Sequence, residues 1–283
     1  MPPAHAIAYE GGTILVDCGE GAFQQLRRAG FDLKQVRELF ITHHHFDHIG
    51  SLFACLGLNM MMHRHQPMNI YGPPGTSKIL DHLIAACDIP QATGFSVPGQ
   101  TLPHPRDFIN SRDIQPGEIL YIDDIRISCC ENTHYRPEDQ FGKQGPISLS
   151  YRFDAPDRSM VFTGDTGPCL ALEEFAKNAD LLVGELFDTE LVINRLRATN
   201  PEMSDHALLQ MRQHFDEHHL TPEDLGQLAS GAGVKKVVAV HIPFITKSAE
   251  EDAKYVSRIL AKFSGSVTTV SYTHLRAHET SLH

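Results

Sequence analysis

Apolar residues fall along this chain in short runs, separated by glycine, proline and small polar residues. The run Thr13–Val16 predicts a buried strand that ends at Asp17-Cys18-Gly19. Gly21–Ala29 predicts a helix, stopped by Gly30. Leu39–Ile41 and Met68–Tyr71 predict two further strands, the second closed by Gly72-Pro73-Pro74-Gly75. Over Ser77–Cys87 the period changes: Ile79, Leu80, Leu83 and Ile84 lie at helical spacing. Residues 89–118 are rich in proline and glycine and predict a long excursion.

Strands resume at Ile119–Ile122, Ile125–Cys130, Ile147–Phe153 and Ser159–Phe162. The later chain interleaves helices (Ala171–Ala179, Met203–His218, Glu250–Phe263) with strands at Leu181–Val183 and Val237–Val240. Thr221-Pro222-Glu223-Asp224 has the form of a capping box with proline at the first helical position. Early strands that cluster and later strands that alternate with helices predict two packed sheets with helices outside. No linker or internal repeat divides the chain, so one domain over 1–270 is expected. Its first strand begins almost at once, without the preceding strand such a sheet would want. The segment 271–283 loses all core periodicity and resembles vector-derived sequence, so it is left out of the fold expectation.

Composition narrows the function classes. Hydrophobic residues make up 41% and charged residues 21% of 283, enough to bury a real core. No apolar run approaches a membrane span and the first residues lack a signal-peptide pattern, so a cytoplasmic location without membrane partners is expected. The net charge of −11 argues against general electrostatic capture of nucleic acid, without excluding it at a local basic or metal-lined cleft. The six cysteines form no C-x-x-C pair and are expected as reduced thiols.

The chemistry sits directly after Leu39–Ile41, where Thr42-His43-His44-His45-Phe46-Asp47-His48 reads T-H-x-H-x-D-H. Imidazole nitrogens and a carboxylate oxygen form a ligand set that suits zinc. On an extended segment His43 and His45 point the same way, while Asp47 and His48 follow in a turn. One loop can therefore offer two ligands to one metal and two to another. The alternative is a solvated histidine-rich loop, which leaves the motif's order unexplained. Three more candidates follow predicted strands: His134, Asp165 and His241. Singly, such residues are commonly turn or cap residues. In this order, at strand ends, they complete a plausible dinuclear set.

These motifs resemble the metallo-β-lactamase superfamily over roughly Ala6 to Phe263. The resemblance implies an α/β (α+β) fold, the four-layer αββα sandwich. It assigns His43, His45 and His134 to a first zinc, and Asp47, His48 and His241 to a second, with Asp165 bridging them. Manganese or iron are the alternatives to two Zn2+. It makes Asp17 the strand-end carboxylate that supports the histidine loop. Within the superfamily, Asp17-Cys18-Gly19-Glu20-Gly21 and Ile70-Tyr71-Gly72-Pro73 resemble the ribonuclease Z branch. Leu182-Val183-Gly184-Glu185 stands where that branch has His-Glu-Ala-Thr, with Gly184 replacing its histidine. His218-His219-Leu220-Thr221 resembles its His-Ser-Thr segment, making His219 a proton donor and Glu185 its orienting carboxylate. Without the resemblance, His219 is equally a histidine in a helix–helix turn. His214, His218, His63 and His65 are expected at the surface or in loops, and Met60-Met61-Met62 in core or pocket wall.

The branch's processing enzymes carry a long Gly/Pro-rich arm between the counterparts of His134 and Asp165. Here two predicted strands fill much of that interval, and no arm fits. The expectation is therefore an arm-less hydrolase of small anionic esters, phosphodiesters first and aryl sulfates next. A water shared by two metals would be the nucleophile, with Asp47 or Asp165 as the proton acceptor. A homodimer is expected, and a nucleic-acid substrate is not favoured. The competing readings are a lactonase or β-lactamase-type hydrolase, a true tRNA 3′-processing endonuclease, and a non-catalytic or redox member of the fold.

Overall fold

The computed structural model describes residues 2–94, 99, 101–135, 145–243 and 249–270. The segment 271–283, set aside above, lies outside them. Among the described residues the chain divides into two compact units, Pro2–Gln115 and those from Pro116 to Val270.

The first unit is built on a five-stranded sheet in the order β1-β2-β3-β4-β5. Its strands are β1 (His5–Tyr9), β2 (Gly12–Val16), β3 (Val36–Phe40), β4 (Met68–Gly72) and β5 (Ile109–Asp113). β1 pairs antiparallel with β2, and the other pairs are parallel. Helices α1 (Ala22–Arg28), α2 (Phe46–Ile49), α3 (Leu52–Met61), α4 (Thr76–Ala86) and α5 (Asp88–Thr93) join the strands. Leu15, Phe23, Leu39, Leu52, Leu56 and Ile70 belong to its buried core. Each such side chain removed from water contributes about 1.5–3 kcal/mol. In a parallel sheet the loops after the strands emerge at one edge. Asp17 after β2 and the histidine loop after β3 therefore share an edge, which Asp17 N–H donating to Phe40 O at 2.8 Å closes.

The second unit holds a seven-stranded sheet, β12-β11-β10-β9-β8-β7-β6. Its strands are β6 (Ile119–Ile122), β7 (Ile125–Glu131), β8 (Leu149–Asp154), β9 (Ser159–Phe162), β10 (Leu181–Glu185), β11 (Lys236–Val240) and β12 (Ser266–Thr269). Its helices are α6 (Leu170–Phe175), α7 (Thr189–Thr199), α8 (Asp205–His218), α9 (Pro222–Ala232) and α10 (Ala249–Leu260). β9 to β12 are mutually parallel, and β7 and β9 are both antiparallel to β8. Hence β7, β9, β10 and β11 run the same way, and their C-terminal ends share one edge. His134, Asp165, Glu185 and His241 belong to those ends. Both sheets are mixed and both units carry helices, as the fold expectation requires. No described helix is long and apolar enough to cross a membrane.

Several elements differ from the sequence expectation. A strand, β1, does precede Thr13–Val16. Of its residues only Ile7 is buried, so the apolar signal is one residue deep. The excursion over 89–118 contains β5, whose polar Asn110-Ser111-Arg112-Asp113 pairs through its backbone at a sheet edge. Helix α3 has no helical period to read, because Leu52 to Leu58 is apolar almost throughout. Helix α8 begins at Asp205, two residues later than expected, because the Ser204 hydroxyl caps it by accepting Ala207 N–H.

Candidate metal centre

In the first unit, Thr42-His43-His44-His45 leaves β3 in extended form and turns into α2, with His45 at its N-cap. The Asp17 carboxylate organises this loop. It accepts Thr42 N–H at 2.8 Å, the Thr42 hydroxyl at 2.9 and 3.0 Å, and His48 Nδ1 at 2.8 Å. Thr42 has one hydroxyl proton, and Asp17 takes it. The Thr42 oxygen therefore accepts from His43 Nδ1, 3.0 Å away. With protons fixed on Nδ1, His43 and His48 each offer Nε2 as a ligand nitrogen. The rings are gathered: His43 and His48 centroids are 3.9 Å apart, and His43 and His45 centroids 4.6 Å. His48 Nε2 lies 3.9 Å from an Asp47 carboxylate oxygen. His43 and His48 are buried, while His45 is exposed.

In the second unit, Asn132 ties the end of β7 to its neighbours by donating to Ser150 Oγ and Thr163 O. His134 Nδ1 donates to the His218 carbonyl at 3.1 Å, which again makes Nε2 the ligand nitrogen. Asp165 Oδ2 lies 3.4 Å from His241 Nε2 and 3.9 Å from His219 Nδ1. Ligand atoms of His134, Asp165 and His219 all fall within 4.8 Å of one another. This chemistry fits a divalent metal in both units: imidazoles held by hydrogen bonds on the far nitrogen, beside carboxylates.

His219 caps the C-terminus of α8, two residues before Thr221 opens the α9 capping box. Its Nδ1 donates to Glu185 Oε2 at 2.8 Å, and its ring stacks on Phe187 with centroids 4.4 Å apart. Burial pulls the His219 pKa down, but the Glu185 charge and hydrogen bond outweigh it and leave it raised. Burial, then the Asp165 charge, pushes the Glu185 carboxyl above its ordinary range. The other oxygen of Glu185 accepts Thr166 N–H, so one carboxylate serves both His219 and the loop that carries Asp165.

Sequence reasoning puts His218 at the surface, and the structure corrects this. His218 is buried, its Nδ1 donates to Thr133 O at 2.8 Å, and its own carbonyl fixes His134. The signal was its place beside His219 and ahead of the capping box. Gly184, which replaces the branch's histidine, has a physical reason. A Cβ there would lie 2.5 Å from Leu225 Cδ1, in the packed core. His214 is exposed, as expected, and all six cysteines are free thiols. Of the three methionines, Met60 is buried and Met61 exposed.

The sequence model of a family described as the β-lactamase superfamily domain matches residues 12–242. A ribonuclease Z of Mycolicibacterium gilvum is 24% identical over 259 residues, covering 88% of this chain and 81% of that protein. The metallo-β-lactamase fold protein YhfI of Bacillus subtilis superimposes with a TM-score of 0.64 at 17% identity, covering 95% of this chain and 88% of that one. Human tRNase Z, short form, gives 0.56 at 20% identity, covering 84% and 85%.

Proposed function

Since the chain belongs to the metallo-β-lactamase superfamily and is a metal-dependent hydrolase of the ribonuclease Z type, we propose that it cleaves phosphodiesters. The observation that carries this reading is the Glu185–His219 pair. A lactone or β-lactam carbonyl needs no such acid, because its leaving group can be handled at a metal. A phosphodiester with an alkoxide leaving group does need one.

In this reading the residues that would hold the metals are His43, His45, Asp47, His48, His134, Asp165 and His241. Zinc suits these ligands best, with manganese or iron as alternatives. The metal ions supply Lewis-acid activation of water and of the phosphoryl oxygen. The protein's residues do the rest. Asp47, partly exposed on the first turn of α2, takes a proton from the attacking water. Glu185 holds the His219 ring by Nδ1, so the Nε2 proton goes to the leaving oxygen. Phe187 stacked on the ring limits its rotation. Asp17 and the His218 carbonyl keep the ligand imidazoles in the Nε2-presenting tautomer.

Aryl sulfate hydrolysis would use the same residues but needs little help from His219. A second reading, tRNA 3′-end processing, is favoured by the ribonuclease Z relatives. The interval from His134 to Asp165 argues against an arm-based grip, since β8 and β9 occupy much of it. A homodimer belongs to the proposed reading through the same resemblance. The test is a rate panel: a bis(aryl) phosphodiester, an aryl sulfate, a lactone, a cephalosporin and a precursor tRNA, with metal content measured alongside. Faster turnover of the lactone or cephalosporin than of every phosphodiester would refute the reading.

A further inference from the structure

Cations are scarce in this chain, and most of its described arginines face carboxylates. Arg126, Arg152, Arg158, Arg197, Arg212 and Arg258 each form an ion pair with a nearby Asp or Glu. The segment from α1 to β3 departs from this pattern. It holds Arg27, Arg28, Lys34 and Arg37, all exposed, and among the described residues no ion pair is formed by any of the four. Its carboxylates are Asp32, which accepts Lys34 N–H and caps a short turn at Leu33–Gln35, and the buried Glu38, which accepts from Asn69. In a protein of net charge −11, four unpaired cations within eleven positions form a local reversal of sign. Arg27 and Arg28 also sit in the last turn of α1, where a cation suits the helix dipole, which leaves Lys34 and Arg37 as the cations without such a local role.

These two residues line a cleft of about 620 Å3, together with Tyr9, Phe31, Gln35 and Gln66. The cleft lies against the β1–β2 hairpin. Gly12, with φ +149°, lets the hairpin approach the Leu33–Gln35 turn so closely that a Cβ there would lie 2.7 Å from Gln35 O. One carboxylate, Glu10, lines it as well. Behind it lies a fifth cation, Arg64, 1% exposed. Its guanidinium donates to the carbonyls of Leu33, Val36, Gln66 and Pro67 and to Asn59 Oδ1. All of these acceptors are neutral, so no hydrogen-bonded carboxylate cancels the charge of the guanidinium.

Unpaired cations, amides and aromatic rings in one open groove make up the chemistry that tracks a sugar–phosphate backbone and stacks its bases. We propose that this cleft is a docking site for single-stranded RNA, remote from the hydrolytic centre. The remoteness selects the ligand. Lys34 and Arg37 lie at the start of β3 and His43 beyond its end, and a five-residue strand spans about 17 Å. A small diester cannot reach both ends. A strand of roughly five nucleotides can, at about 3.4 Å per residue. RNA thus moves ahead of the small ester that the sequence alone favours. The proposal rests on the phosphodiesterase reading for its biological sense but not for its test.

The experiment is fluorescence anisotropy with a labelled single-stranded RNA of about 20 nucleotides, from about 50 to 200 mM salt. Lys34→Glu with Arg37→Glu is compared with wild type and with a charge-matched control, Lys177→Glu with Lys254→Glu. The cleft variant should bind at least about 10-fold more weakly, with the salt slope reduced by about 1.4, as losing two phosphate contacts requires. The control should match wild type. Melting temperature and hydrolysis of a small aryl diester should be unchanged in the cleft variant. Unaltered RNA binding in that variant, an equal loss in the control, or no binding by wild type at the lowest salt would each overturn the proposal. If RNA binds as described but no diester is hydrolysed, the cleft stands and the phosphodiesterase reading falls.

Discussion

Glu185 and His219 form a carboxylate–imidazole pair, with Oε2 and Nδ1 2.8 Å apart, and both side chains are nearly closed to solvent. Because the other Glu185 oxygen is committed to Thr166 N–H, the carboxylate cannot rotate away from the ring without releasing the Asp165 loop. The donor capacity of His219 and the position of Asp165 are therefore coupled through one side chain.

His219→Ala should slow diesters with alkyl leaving groups by about 10²–10⁴-fold while barely affecting p-nitrophenyl esters, which leave readily as anions. Steady-state rates on a leaving-group series check this. A uniform loss across the series would assign His219 to binding or structure.

Glu185→Gln should lower the pH at which His219 loses its proton, because the carboxylate is what raises that pKa against burial. For alkyl substrates the alkaline fall in kcat should move to lower pH relative to wild type. A pH–rate profile with an unmoved alkaline limb would break the link between the two residues.

Asp165→Ala should remove at least one of two bound metal ions and abolish activity without unfolding the chain. Elemental analysis together with a thermal melt measures both. Two metals retained at near-normal turnover would exclude Asp165 as a ligand.

Asp17→Asn should weaken metal binding by about 10–100-fold, the usual cost of disturbing a group that orients metal-bound histidines. An amide cannot accept all the donors of Thr42 and His48. Competition with a coloured chelator gives the affinity, and an unchanged value would show that the loop holds its shape without the carboxylate.

Asp113 provides a stability test away from the chemistry. Its two oxygens accept Gly75 and Ser77 N–H at 2.8 and 2.7 Å, capping α4 from strand β5. Burial works to raise this carboxyl, but the two backbone bonds outweigh it and its pKa is lowered. The capping stability is then full above the ordinary carboxylate pKa and disappears as pH falls through the lowered value. Asp113→Ala should cost about 1 kcal/mol near neutral pH and much less in acid. Denaturant melts at both pH values decide the matter.

Most of the candidate site was legible because its residues are dictated by chemistry. The T-H-x-H-x-D-H order and the strand-end positions of His134, Asp165 and His241 carry a ligand pattern in one dimension. The roles of Thr42 and His218 were not legible. Thr42 acts through a hydroxyl whose single proton is spent on Asp17, and His218 through a main-chain carbonyl that every residue possesses. In the fold, central strands announced themselves by continuous apolar runs. The edge strands β1 and β5 did not, since one buried residue each, Ile7 and Ile109, leaves almost no pattern. Helix α3 escaped for the opposite reason: an apolar surface all round has no period. The unpaired state of Lys34 and Arg37 is likewise a property of neighbours, which a sequence does not display.

Asp17 and His241 each leave a buried strand with positive φ, 62° and 54°, a conformation that side chains other than glycine adopt at a cost of about 1–2 kcal/mol. Asp17 is also held by the buried donors of Thr42 and His48, whereas at position 241 selection for stability alone would favour glycine or asparagine. The cores of β2 and β11 thus act as springs that keep two polar groups cocked at the sheet edges. His241→Gly should melt at or above the wild-type temperature in the presence of chelator and below it when metal is supplied. Such an inversion would mark position 241 as one where the native residue has been kept at the expense of a more durable protein.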